Sequence, residues 1–129
     1  MIYLDTSVAL AHLLAEDQRP KDTIWSETLI TSRLLEYELY TRLHAKGLTD
    51  SHGQAALAIL ERLAFLALSP PVLARALEPF PTPVSTLDAL HLASAEFLRA
   101  SGQPVALATY DQRMQTAAKA LGLPLVELD

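Results

Sequence analysis

The sequence predicts an α/β fold in which a small, mostly parallel sheet is covered by helices on both faces. Three observations carry this expectation. Short apolar runs with strand character alternate with longer segments of helical periodicity, as right-handed crossovers between parallel strands require. Half of the residues are apolar and only 6% are aromatic, with Leu and Ala dominating, which suits helices on a small sheet better than a β-sandwich. A chain of 129 residues fits one domain, burying roughly two-thirds of the surface that its unfolded form exposes. No internal repeat, low-complexity tract or Gly/Ser linker interrupts it, so residues 1–129 are expected to form a single unit.

Each element has a local reason. Ile2-Tyr3-Leu4 forms the expected first strand and runs straight into Asp5, with a helix expected over 7–15 and a short one over 20–26. A second strand is expected at 29–31, followed by a helix from Ser32 to about Lys46, where Gly47 supplies the stop. Thr49 or Asp50 starts the next helix, which runs to about Leu63, since short polar residues cap helix starts. A short strand over 65–68 and a helix over 70–78, opened by Pro70-Pro71, come next. Pro79-Phe80-Pro81-Thr82-Pro83 must be extended, because each proline removes a donor and restricts its predecessor. Helix is expected from Thr86 to Ala100, then the turn Ser101-Gly102-Gln103-Pro104, a strand over 105–108, a helix over 111–121 and a last strand over 124–127.

Bulk properties narrow the function. Cysteine is absent, so there is no disulfide or thiolate metal site, and a reducing cytoplasm is the expected home. The N-terminal stretch has no basic region and carries Asp5 within its apolar run, so it does not read as a signal peptide. No apolar run approaches the roughly 20 residues of a membrane span. The net charge of −5 argues against broad, sequence-independent nucleic-acid binding. A local basic rim from Arg33, Arg42, Lys46, Arg62, Arg99 and Arg113 remains open to the chain.

Four acids stand at helix starts or strand ends. In open α/β sheets, ligands sit in the crevice beyond the carboxyl ends of the strands, and Asp5 and Asp111 follow two such ends. Asp5 could cap the first helix, but Thr6 and Ser7 can also do so, which frees the carboxylate for function. Asp88 completes Ser85-Thr86-Leu87-Asp88, the spacing of a capping box, and the positive end of the helix dipole would keep it ionised. Asp111 enters a helix where Thr109 and Gln112 have the spacing of another box. Glu38 competes with Glu36, nearly opposite on the same helix, and periodicity does not choose between them; an ion pair of Glu38 with Arg42 is the bland reading. His91, three residues after Asp88, reads as a hydrogen-bonded structural histidine rather than a ligand. Carboxylates about 6 Å apart repel by roughly 3 kcal/mol per pair at an effective dielectric near 20. A shared crevice would therefore need a cation, and all-oxygen donors favour Mg²⁺ or Mn²⁺ over zinc.

Taken together, IYLDTSV, SRLLEYELYTRL, STLDALHLASA and ATYDQRMQTAAKALGL resemble the signature segments of the PIN-domain ribonucleases, and most closely the VapC-type toxins of toxin–antitoxin pairs. The resemblance spans nearly the whole chain and implies a PIN-like three-layer α/β/α fold. It implies that Asp5, Glu38, Asp88 and Asp111 are the family's acidic quartet. It selects Glu38 over Glu36, because the family's acid stands six residues after the Ser at the helix start, here Ser32. Thr6 resembles the small hydroxyl residue beside the first acid, and Thr109 joins it as a supporting residue. The implied activity is hydrolysis of RNA by an endoribonuclease that depends on Mg²⁺ or Mn²⁺; Asp5 and Asp88 are expected as direct metal ligands, with Asp111 and Glu38 holding a second ion or its waters and orienting the nucleophile. The implied partners are an RNA substrate, a VapB-type antitoxin and a second copy in a homodimer. Leu57, Ile59, Leu60 and Leu63 are the candidate surface for dimer or antitoxin. A non-catalytic PIN-like module and a free-standing RNA-processing nuclease are the alternatives. A haloacid dehalogenase-type phosphotransferase, which also starts with strand-then-Asp, would need a second acid where this chain has Ser7.

Overall fold

A computed structural model describes all residues, 1–129. The chain runs β1 (Ile2–Leu4), α1 (Thr6–Leu13), a 3₁₀ turn (Asp22–Ser26), β2 (Leu29–Ser32), α2 (Leu34–Ala45), α3 (Thr49–Glu61), β3 (Ala64–Leu66), α4 (Pro70–Ala76), α5 (Thr86–Ala100), β4 (Ala106–Ala108) and α6 (Gln112–Ala120). Successive side chains of a strand face opposite ways, and β1 divides the interior accordingly. Leu4 joins Leu29 and Ala108 in a cluster with Val8, Leu35, Leu39 and Leu60, from α1, α2 and α3. Tyr3 joins Leu107 in a second cluster with Leu92, Leu98, Met114 and Ala117, from α5 and α6. The two clusters lie on opposite faces of the sheet, which makes the three α/β/α layers.

The sheet has the order β3-β2-β1-β4, with every pair parallel. The chain steps outward from β1 through β2 to β3, then returns to the other side of β1 as β4. The direction of winding therefore reverses between β1 and β4, the place where an open parallel sheet leaves a crevice at its carboxyl end. The Asp5 N–H donates to the Ala108 carbonyl at 3.0 Å and ties the two strand ends together.

Capping explains most boundaries. The Ser85 side chain accepts from the Asp88 N–H and opens α5, Pro70 occupies the first turn of α4, and Gly47 follows α2 at φ +66°, a left-handed conformation suited to glycine. Several expectations need correction. The helix expected over 20–26 is only the 3₁₀ turn, and β3 starts one residue earlier and stops at Leu66. The strand expected at 124–127 contributes a single parallel bridge, Leu107↔Leu125, because Pro124 has no N–H with which to lengthen the ladder. Of the proposed α3 surface, Ile59, Leu60 and Leu63 are buried in the core and only Leu57 is exposed. Those side chains cover the sheet, so they offer no face to a partner.

Candidate active site

Asp5 is fixed by the turn that joins β1 to α1. Its Oδ2 accepts from the Thr109 hydroxyl at 2.8 Å, the Ser7 hydroxyl at 2.6 Å and the Ser7 N–H at 3.3 Å. Of the three candidates, Asp5 is thus the cap of α1, for a clear cause. Thr6 turns its hydroxyl to Glu38, and Ser7 bridges Asp5 to the Tyr110 N–H, which it accepts at 3.0 Å.

Glu38 projects from α2 toward the same turn. Its Oε1 accepts from the Thr6 hydroxyl at 2.8 Å and lies 2.6 Å from His91 Nε2. Glu36 instead faces outward, 3.7 Å from Arg33. The bland ion pair of Glu38 with Arg42 is not formed; Glu38 has found better partners inside. His91 is fully buried, and its Nδ1 lies 2.7 Å from the Tyr3 hydroxyl, which accepts the Ser32 N–H. Burial would hold this imidazole down, but Tyr3, Glu38 and Asp5 outweigh it and push its pKa up to about 10. His91 is the hydrogen-bonded structural residue expected of it, and both its nitrogens are engaged.

Asp88 and Asp111 form the outer side. Asp88 is half-buried in the first turn of α5, and its carboxyl is raised above the ordinary range by burial, then by the charges of Asp111 and Asp5. The Ser85 hydroxyl and His91 offset part of that shift. Asp111 caps α6, its Oδ1 accepting from the Arg113 and Met114 N–H groups at 2.9 and 3.1 Å. The expected Thr109–Gln112 box does not form. Thr109 is buried under Asp5, and its hydroxyl accepts from the Asp111 N–H at 3.0 Å.

All four acids line one open crevice of about 680 Å³, together with Thr6, Ser7 and several residues of α2. No three Asp, Glu or His side chains are drawn close enough to enclose an ion as they stand. A second cavity of about 690 Å³ lies between α4 and the proline-rich loop, but Glu78 is its sole ionisable residue. Of these two, the crevice at the strand ends is the one lined by a cluster of ionisable groups.

Of the proposed basic rim, only Arg42 reaches this crevice. Arg33 lies over Phe65, Arg62 donates to the Trp25 carbonyl and Arg99 to that of Leu121. Sequence reasoning passed over Ser7 and Tyr3 as site residues, and over the link between His91 and Glu38. The DxxH spacing was the one available signal for that link.

Comparison with known proteins agrees with this geometry. Residues 2–120 match the model of the PIN domain family. Ribonuclease VapC35 of Mycobacterium tuberculosis is 35% identical over 98% of this chain and 96% of its own length. From the same organism, Ribonuclease VapC46 is 33% identical, covering 97% and 95%, and Ribonuclease VapC47 is 30% identical, covering 95% and 93%. With a family model spanning β1 to α6 and relatives aligned nearly end to end, the chain belongs to the PIN domain family.

Proposed function

We propose that this chain, working as a single domain, is a divalent-metal-dependent endoribonuclease and the toxin of a VapBC-type pair. The observation that carries this reading is the meeting of four acids from four separate segments in the crevice between β1 and β4. The relatives' names supply the substrate class, RNA. A VapB-type antitoxin, a homodimer and a cytoplasmic location belong to the same proposal; no helix is long and apolar enough to cross a membrane.

The residues suit a hard cation. Every ligating atom free to face the crevice is an oxygen, since His91 uses both nitrogens elsewhere. Asp5 Oδ1 accepts no hydrogen bond and lies 4.0 Å from His91 Nε2, while Oδ2 is held by Ser7 and Thr109; Asp111 Oδ1 caps α6 and its Oδ2 makes no hydrogen bond. Asp88 is raised first by burial and then by the charges of Asp111 and Asp5, and a cation between the carboxylates would relieve that second part. Asp5, Asp88 and Asp111 are the ligands in this reading. Bound Mg²⁺ or Mn²⁺ would supply an activated water and stabilise negative charge around phosphorus. Glu38, oriented by Thr6 and His91, would accept a hydrogen bond from the attacking water and aim it. Thr109 acts through Asp5 and Thr6 through Glu38.

The test is cleavage of RNA by purified protein with Mn²⁺, with excess EDTA, and with the Asp5→Asn variant. Cutting that requires Mn²⁺ and is lost in the variant is expected. Equal cutting by the variant, or cutting in EDTA, contradicts the assignment.

A further inference from the structure

The crevice extends beyond the four acids. Its long wall is the face of α2 bearing Leu34, Tyr37, Glu38, Thr41, Arg42 and Ala45, which are successive positions along one side of a helix. At 1.5 Å per residue this wall is about 16 Å long, far more than an ion or a single phosphate occupies. Two of its side chains have no role in the fold. Tyr37 is 70% exposed although it is a large aromatic residue, and it adjoins Glu38 at the mouth of the site. Arg42 is the sole cation lining the crevice. It lies one helical turn beyond Glu38, yet no carboxylate is within ion-pair distance of it. Glu38, the natural partner at that spacing, is already held by Thr6 and His91.

An exposed ring and an unpaired guanidinium beside an acidic centre suit a flexible nucleic-acid strand. Unstacked bases offer a flat face to an aromatic side chain, and phosphates pair with arginine. A paired duplex hides those faces. We propose that α2 carries a single-strand binding subsite in which Tyr37 stacks on a base next to the scissile phosphate and Arg42 pairs with a neighbouring phosphate. The acids themselves repel the polyanionic backbone, so a contact for it must lie to one side of them. Arg42 is placed there, about 6 Å along the helix axis from Glu38. Stacking tolerates every base, so this subsite positions the strand and favours unpaired RNA over paired, leaving base identity to other contacts.

This inference rests on the nuclease reading for its substrate, but its test does not depend on cleavage. Fluorescence anisotropy of a labelled, mixed-sequence single-stranded RNA is measured on the Asp5→Asn protein in Mn²⁺, then with Tyr37→Ala, Tyr37→Phe or Arg42→Gln added. Both tested positions are exposed, and thermal melting checks that the fold is intact. Tyr37→Ala is expected to weaken binding roughly 5- to 100-fold, while Tyr37→Phe, which keeps the ring, retains it. Arg42→Gln is expected to flatten the dependence of log affinity on log salt by about 0.7, the share of one single-strand phosphate, and Tyr37→Ala to leave that slope alone. Annealing the RNA to its complement should erase the difference between Tyr37 and Ala.

Unchanged binding by Tyr37→Ala, equal loss in Tyr37→Phe, an unchanged slope in Arg42→Gln, or no binding by the Asp5→Asn background overturns the proposal. In the first case the exposed ring belongs to a protein contact instead. Tyr37-dependent binding by a protein whose parent cuts no RNA would sink the nuclease reading and leave the subsite standing.

Discussion

The two sides of the crevice are built differently. Asp5 and Glu38, on the inner side, are held by four side-chain groups, Ser7, Thr109, Thr6 and His91. Asp88 and Asp111, on the outer side, are half-buried and held only by their helix starts. The charges on this outer side are also unrelieved, since Asp88 is raised partly by Asp111 and Asp5. Folding therefore holds the inner pair by long-range side-chain hydrogen bonds and the outer pair by local ones alone, Asp111 through two backbone N–H groups at its helix start. Such a division keeps the inner oxygens aimed while letting the outer pair adjust around an ion, at the cost of repulsion in its absence.

The largest expected effect removes the inner anchor. Asp5→Asn should lower RNA cleavage by on the order of a hundred-fold or more, beyond the loss typical of outer-shell partners, as read in single-turnover assays. Its fold should survive, because Asn retains an acceptor for Ser7 and Thr109. Comparable loss in Glu36→Gln, which faces away from the crevice, would break the distinction between the acids.

Next is His91→Ala, expected to cost about 3 kcal/mol in urea unfolding, since it leaves a cavity and strips Glu38 and Tyr3 of a partner. The pH dependence sharpens this. The folded state holds the His91 proton more tightly than the unfolded chain does, so its contribution is fully present below about pH 6.5 and is lost as pH rises through about 10. Stability of the parent should fall over that range more than that of His91→Asn; parallel profiles would remove the imidazolium from the inner side.

A smaller effect of the same sign is expected for the outer side. The raised carboxyl of Asp88 means that the folded protein binds this proton more tightly, so stability in EDTA should decline as pH rises from below 3.8. Asp88→Asn should flatten that decline and raise thermal stability at neutral pH by less than about 1 kcal/mol. Added Mn²⁺ should stabilise the parent more than the variant. Ser7→Ala, the mildest change, should cost about 1 kcal/mol, with a modest fall in cleavage as Asp5 loosens. No change in either would show that the inner hydrogen bonds are dispensable.

Much of this was legible beforehand. Parallel strands alternating with helices, the crevice at the ends of β1 and β4, and the four acids all followed from sequence pattern and resemblance. What escaped depends on distance in space. Periodicity could not choose between Glu38 and Glu36, only the resemblance did, and the contacts that hold Glu38 inside come from Thr6 and His91, 32 and 53 residues away. The cap of α1 stayed open among Asp5, Thr6 and Ser7, and the box expected of Thr109 and Gln112 did not form, because Ser, Thr and Asp are near-equivalent caps in sequence and tertiary partners decide among them. The last strand failed on backbone grounds, since a short apolar run such as Leu125-Val126 looks like a strand whether or not a ladder can form. The exposure of Tyr37 was invisible because an aromatic residue on an amphipathic helix ordinarily reads as core.

The most direct test of the central claim is calorimetric titration of Mn²⁺ into the parent protein and its Asp5→Asn, Asp88→Asn and Glu36→Gln variants. Saturable binding by the parent and Glu36→Gln, with marked weakening in both Asp variants, is the predicted result. Binding that is unchanged by Asp5→Asn and Asp88→Asn would show that the crevice is not where the ion is held.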